Sequence, residues 1–200
     1  IGGSIIENVV RMNGKVIVVD DKCGTPDALD KLVEALKMNP YTSVVAFVHA
    51  ETSTGVRSDA KEIAEISKKY GCLVIADTVT SFTGIPVLTD EWGLDAVYSG
   101  SQKCLSCVPG LSPLTFSDKA IEKIKNRSTR MLSWFLDQTL VLDYWSGKGK
   151  RCYHHTAPIN SIFALHEALK LACDETLENL WKRHSDAHFR LKEGLDLMSF

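Results

Sequence analysis

Apolar and polar positions along the first hundred residues switch between helical and strand-like periods. Ile5 to Met12 carries apolar side chains at helical spacing and stops at Asn13-Gly14, a good helix terminator. Lys15-Val-Ile-Val-Val-Asp20 is a short β-branched run and predicts a strand. Thr25-Pro26 predicts the start of a helix, with a capping hydroxyl and proline in the first turn. Leu29, Leu32, Val33 and Leu36 then line one face as far as Asn39-Pro40. Ser43-Val-Val-Ala-Phe-Val48 reads as a strand. Asp59 to Tyr70 reads as a helix with Ile63, Ala64 and Ile66 apolar, closed by Gly71. Cys72-Leu-Val-Ile-Ala76 and Asp95-Ala-Val-Tyr98 predict two more strands.

Strands that are apolar throughout and separated by helices imply an α/β fold, a mostly parallel sheet with helices on both faces. Ligands of such sheets gather beyond the carboxyl ends of the strands. Three polar segments follow strands here and are expected to converge: His49-Ala-Glu-Thr-Ser-Thr-Gly55, Asp77-Thr-Val-Thr-Ser81 and Ser99-Gly-Ser-Gln-Lys103. Downstream, Pro113-Leu-Thr-Phe116 predicts a strand, followed by a helix capped by Ser117. Ser133 to Trp145 reads as helical and Gly147-Lys-Gly-Lys150 as a flexible basic loop. Two long helices complete the chain, one from near Thr156-Ala-Pro158 and one after Asp174, the latter with Leu177, Leu180, Trp181, Leu191 and Leu195 on one face.

Composition narrows the function classes. The 200 residues are 44% hydrophobic, enough for a sizeable core, and the net charge of -2 is mixed along the chain. That balance points away from nucleic acid and membrane surfaces, and no apolar run approaches the roughly 20 residues that span a bilayer. Ile1-Gly-Gly-Ser-Ile-Ile6 has no signal-peptide character, and Leu195 to Phe200 forms no polar tail, so the chain reads as an internal segment of a longer protein. Cys23, Cys72, Cys104, Cys107, Cys152 and Cys173 are scattered, which suits reduced thiols better than a disulfide scaffold.

An aspartate ending one buried strand and a lysine following the next suggest pyridoxal phosphate. This cofactor needs a lysine to hold its aldehyde as a Schiff base and a carboxylate to keep its ring nitrogen protonated. Asp77 and Lys103 offer that pair, although many strand-end aspartates only cap the next turn. Lys103 would need a lowered pKa to attack as the free amine.

Four motifs add specificity: Glu51-Thr-Ser-Thr-Gly-Val56, Ala76-Asp-Thr-Val-Thr-Ser81, Tyr98-Ser-Gly-Ser-Gln-Lys103 and Tyr153-His-His-Thr156. In order and spacing they resemble the alanine–glyoxylate/serine–pyruvate aminotransferases, class-V members of the fold-type I pyridoxal-phosphate enzymes, over nearly the whole chain. The resemblance implies that Lys103 is the Schiff-base lysine and Asp77 the partner of the pyridine nitrogen. Val79 would pack on a ring face, Thr52 would lie near the phenolic oxygen in place of the usual serine, and Gln102 would contact the phosphate. Tyr153 and Thr156 would reach the phosphate of a neighbouring subunit, making a homodimer with shared active sites. Residues 1–173 would belong to the cofactor-binding large domain, its N-terminal part missing, and 174–200 would open a small C-terminal domain. The implied reaction moves an amino group from alanine or serine to glyoxylate or pyruvate. A kynurenine-type transaminase is the neighbouring reading, and a peroxisome the implied location, with mitochondrion or cytosol as alternatives.

The chain departs from that pattern at Gly2, where an aromatic ring is usual, and at Val108-Pro-Gly110 in place of Pro-Pro-Gly. The Gly-rich phosphate loop and the carboxylate-gripping arginine of the family would lie outside the chain. A non-catalytic dimerisation core is therefore a second hypothesis, and a thiol-redox protein using Cys104 and Cys107 a third. A lone CxxC makes a poor four-ligand metal site. His184 and His188 have i, i+4 spacing but no HExxH glutamate, which favours an ordinary helix face. His154 and His155 are expected to point to opposite sides, and His49 and Glu51 to anchor their loop. No GxGxxG occurs, and Gly147-Lys-Gly-Lys150 lacks the order of a phosphate-binding loop.

Overall fold

A computed structural model describes residues 1–146 and 152–199. The predicted loop at 147–150 lies outside the described residues. The elements run α1 (Gly2–Arg11), α2 (Leu29–Met38), β1 (Val44–Val48), β2 (Ala50–Glu51), β3 (Val56–Arg57), α3 (Ala60–Lys69) and β4 (Leu73–Asp77). They continue as α4 (Thr89–Trp92), β5 (Ala96–Tyr98), β6 (Leu114–Phe116), α5 (Asp118–Lys125), α6 (Gln138–Ser146), α7 (Ile159–Glu175) and α8 (Leu177–Leu197).

The main sheet has the order β1-β4-β5-β6; its first three strands are parallel and β6 runs antiparallel to β5. This is the expected α/β class with a mostly parallel sheet. Register decides what each face carries. Phe47 pairs with Ala76, and Ala76 with Val97, so these side chains share one face. With Val74 they join Ala60, Ile63 and Ala64 of α3 in the core. The opposite face carries Ala46, Ile75, Asp77, Ala96 and Tyr98, and on it Ala46 is exposed while Leu73 and Ile75 are only partly covered. The helices expected over both faces thus cover one face more fully among the described residues.

Local chemistry explains most boundaries. Asp59 caps α3 by accepting from the Glu62 N–H, and Ser117 caps α5 by accepting from the Ala120 N–H. Three predicted elements differ. Lys15–Asp20 has no regular structure and pairs with no strand of the described residues, leaving Ile17, Val18 and Val19 exposed; a β-branched run becomes a strand only where a neighbour takes its N–H and C=O groups. Thr25 does not cap a helix but donates to the Lys22 carbonyl, closing a turn. The first turn of α2 is instead tethered by Asp21, which accepts from the Ala28 N–H and from Lys31. Residues 133–137 are turns rather than helix, because Ser133 accepts from the Leu136 N–H and Asp137 from the Thr139 N–H.

Helix α7 runs past the 173/174 position and packs against α8. Of the predicted apolar face of α8, Leu180 is buried while Leu177, Leu191 and Leu195 are exposed. Gly2 opens α1, and a Cβ there would meet no atom within 4 Å. No helix among the described residues is long and apolar enough to cross a membrane.

Candidate active site

Three loops meet at the carboxyl ends of β1, β4 and β5, as the polar segments predict. The first follows β1 and is pinned by His49. Its N–H donates to the Asp77 carbonyl at 2.9 Å, and its Nδ1 lies 3.0 Å from the Ser81 hydroxyl. The ring stands edge-on to Trp92, and burial pushes its pKa down to about 4, with the positive charge of Arg57 adding to the effect. Glu51 accepts from both the N–H and the hydroxyl of Ser53. Both residues therefore anchor the loop. Thr52 is exposed, and its hydroxyl lies 2.6 Å from that of Thr80, which ties the first loop to the second.

Asp77 ends β4 and is only 3% exposed. Its Oδ1 accepts from the Val79 N–H at 2.9 Å and its Oδ2 from the Tyr98 hydroxyl at 2.6 Å. Two donors, one to each oxygen, fix the plane of this buried carboxylate. Val79 is half-buried one turn further on. The third loop packs against the second through Cys104, whose Sγ donates to the Thr80 carbonyl at 3.3 Å. Burial raises the Cys104 thiol above its ordinary pKa, and the charge of Lys103 only partly offsets this. The thiol is thus protonated and engaged near neutral pH, which removes the main support for a redox role.

Gln102 and Lys103 are both exposed, and none of the ion pairs among the described residues involves Lys103. Gly100 keeps the space between the loops open. A Cβ there would come within 2.9 Å of Gln102 Oε1 and 3.5 Å of Val79 Cγ1, two side chains expected to touch the cofactor. A buried carboxylate, an amine in no ion pair among the described residues, paired hydroxyls and a glycine gap between Val79 and Gln102 fit pyridoxal phosphate. Tyr153 and Thr156 are not brought to this loop cluster by any hydrogen bond among the described residues. They bond one another through their hydroxyls at 2.6 Å and are exposed.

Other sequence candidates have structural partners. His154 is buried, stacks on Trp134 and sits with its Nε2 3.2 Å from the Trp134 carbonyl. The expectation that His154 and His155 diverge is incorrect: their Nδ1 atoms are 2.8 Å apart, and both rings pack against Phe135. His188 packs edge-on to Phe189, and no cluster of three potential metal ligands occurs among the described residues. Tyr98 was missed as a site residue. Its place beside Asp77 depends on strand register, for which only its position at a predicted strand end gives a hint.

Comparison with known proteins places this site in a family. The family model described as aminotransferase class-V matches residues 10–200. The chain belongs to the class-V aminotransferases. Within this family it is 43% identical to the alanine–glyoxylate aminotransferase of Oryctolagus cuniculus over 194 residues, covering 94% of the chain and 49% of that protein. Its fold matches the crystal structure of alanine–glyoxylate aminotransferase from Nostoc sp. with a TM-score of 0.92 and 42% identity, covering 98% of the chain and 51% of the other. The ureidoglycine–glyoxylate aminotransferase of Bacillus subtilis matches with a TM-score of 0.86 and 32% identity, over 92% and 46%. The chain thus spans about half the length of these relatives. Membership in the family implies pyridoxal phosphate as the cofactor.

Proposed function

We propose that the chain supplies the cofactor-binding part of a pyridoxal-phosphate transaminase that moves an amino group from alanine or serine to glyoxylate or pyruvate. The observation that carries this reading is the convergence of the Thr52, Asp77–Val79 and Gly100–Lys103 loops in a class-V aminotransferase chain. Relatives named for alanine–glyoxylate and for ureidoglycine–glyoxylate transfer have glyoxylate in common, which favours it as the acceptor.

The bound cofactor supplies a conjugated ring that draws electrons from the substrate Cα. Asp77 would hold the proton of the ring nitrogen; at about 4 Å and an effective dielectric near 20, such a pair has roughly 4 kcal/mol of Coulomb attraction. Val79 would pack against the ring, Thr52 would hydrogen-bond the phenolic oxygen, and Gln102 would hold the phosphate. The Lys103 amine would anchor the cofactor and serve as the base that takes and returns the proton at the substrate Cα. Tyr153 and Thr156 would reach the phosphate of a second copy, so the reading includes a homodimer. We further propose the division into a large domain at 1–173 and the start of a small domain at 174–200, and residence in the peroxisome, both from resemblance alone.

The full chain loaded with pyridoxal phosphate tests the proposal. A visible absorption band is expected, together with faster turnover of alanine or serine than of kynurenine. Lys103→Ala should remove the band and slow transfer on the order of a thousandfold. A band that survives this substitution, or a wild-type protein inert toward both small donors, ends the proposal.

A further inference from the structure

We infer that Tyr98 is a positioning residue for the cofactor's ring nitrogen, acting through the carboxylate of Asp77. The inference rests on the function proposed above and assigns one more residue to the same site.

The sheet makes the contact. Asp77 and Tyr98 are the last residues of β4 and β5 and are direct partners in the parallel register, so their side chains leave the same face of the sheet side by side. The Tyr98 hydroxyl donates to Asp77 Oδ2 at 2.6 Å, while the Val79 N–H takes Oδ1 at 2.9 Å. Each oxygen thus has one donor from the protein. An ionised carboxylate offers about four acceptor positions, so room remains on it for the ring N–H. The tyrosine stays protonated: burial, then its hydrogen bond to Asp77 and the Asp77 charge, drive its pKa upward. It is therefore a donor throughout the working pH range.

That direction matters for the reaction. A donor to a carboxylate favours its ionised form. With Tyr98 in place, the proton shared by Asp77 and the ring nitrogen stays on the ring, where it strengthens electron withdrawal. Without it, the carboxylate swings about its single remaining protein donor, and the proton moves toward Asp77. A residue that merely packed the strand end would alter stability but not where this proton sits.

The test uses Tyr98→Phe in the full chain, with pyridoxal phosphate carrying nitrogen-15 in the ring and with the analogue in which CH replaces the ring nitrogen. The nitrogen resonance is expected to move toward the unprotonated pyridine position. Affinity for pyridoxal phosphate should fall about tenfold, the scale of one charge-assisted hydrogen bond, and affinity for the analogue should stay unchanged. An unmoved resonance, or affinities that fall together or not at all, overturns the inference. Should Tyr98→Phe not fold, 4-fluorophenylalanine at position 98 fills the place of the hydroxyl without supplying a donor. The resonance must then move toward the unprotonated position, and a static resonance overturns the inference. A wild-type chain that gives no visible band defeats the proposed function itself and this inference with it, whereas a normal band with an insensitive Tyr98→Phe defeats only the role of Tyr98.

Discussion

His49 is 3% exposed and hydrogen-bonds Ser81 from beneath the site loops, so its charge state is linked to folding. Its folded pKa is about 4 against 6.5 for the free side chain. Above pH 6.5 the ring is neutral in both folded and unfolded chains. Between pH 6.5 and 4 only the unfolded chain takes up the proton, so stability falls with decreasing pH, by about 3 kcal/mol across the window. Urea midpoints measured from pH 7.5 to 4 should show a steeper decline for wild type than for His49→Gln; parallel curves would contradict this. At this scale much of the site was legible. Asp77 and Lys103 stand out because a strand end and a post-strand loop place their chemistry where α/β sheets bind ligands. The hydrogen bond from Tyr98 was not legible, because it depends on which residues of two strands pair. The turning of His155 toward His154 depends on the packing around Trp134 and Phe135 in the same way.

Strands β4, β5 and β6 and helix α5 are fastened by one buried side chain. Asp95 Oδ2 accepts from the Val74 N–H at 2.9 Å, and Oδ1 accepts from the Ser117 hydroxyl, whose oxygen also caps α5. Asp95→Ala leaves that buried N–H without a partner and loosens the cap, and should destabilise the chain by about 3 kcal/mol. The visible band of the loaded protein should persist at permissive temperature, which separates this role from that of Asp77; denaturant unfolding and absorbance together check it. Gly100→Ala should do the opposite, leaving the unfolding midpoint nearly unchanged while weakening cofactor retention, because the exposed Gln102 side chain can yield but then leaves its place. Equal retention by Gly100→Ala and wild type would count against the fit at this gap. The sequence pattern carried the strands and helices around this core, where apolar period, caps and Gly71 agree. It misplaced the strand at Lys15–Asp20 and the helix start at Thr25, because one needs a pairing partner and the other is decided by Asp21, several residues upstream.

Across the whole molecule, exposed large apolar side chains run from Ile1 to Met198, and Leu132, Trp134, Phe135, Leu136, Tyr153, Ile159 and Phe163 are among them. Tyr153 is the residue expected to reach a second copy's phosphate, and exposed apolar side chains in the same stretch of chain suit a protein partner. In the proposed dimer, sedimentation of the full chain gives twice the monomer mass, and Phe163→Glu shifts it toward monomer; a wild-type monomer at micromolar concentration would contradict this. The α/β architecture was legible because β1, β4 and β5 are apolar runs set between helices. The extent of cover on the second sheet face was not, since Ala46 and Ile75 read as core residues from pattern alone. The central claim is that the amine at position 103 carries the cofactor. Borohydride reduction of the full chain loaded with pyridoxal phosphate, followed by digestion and mass spectrometry, tests it most directly. The account predicts one pyridoxyl group per chain, on the peptide containing Lys103; a label on another lysine, or none, would contradict it.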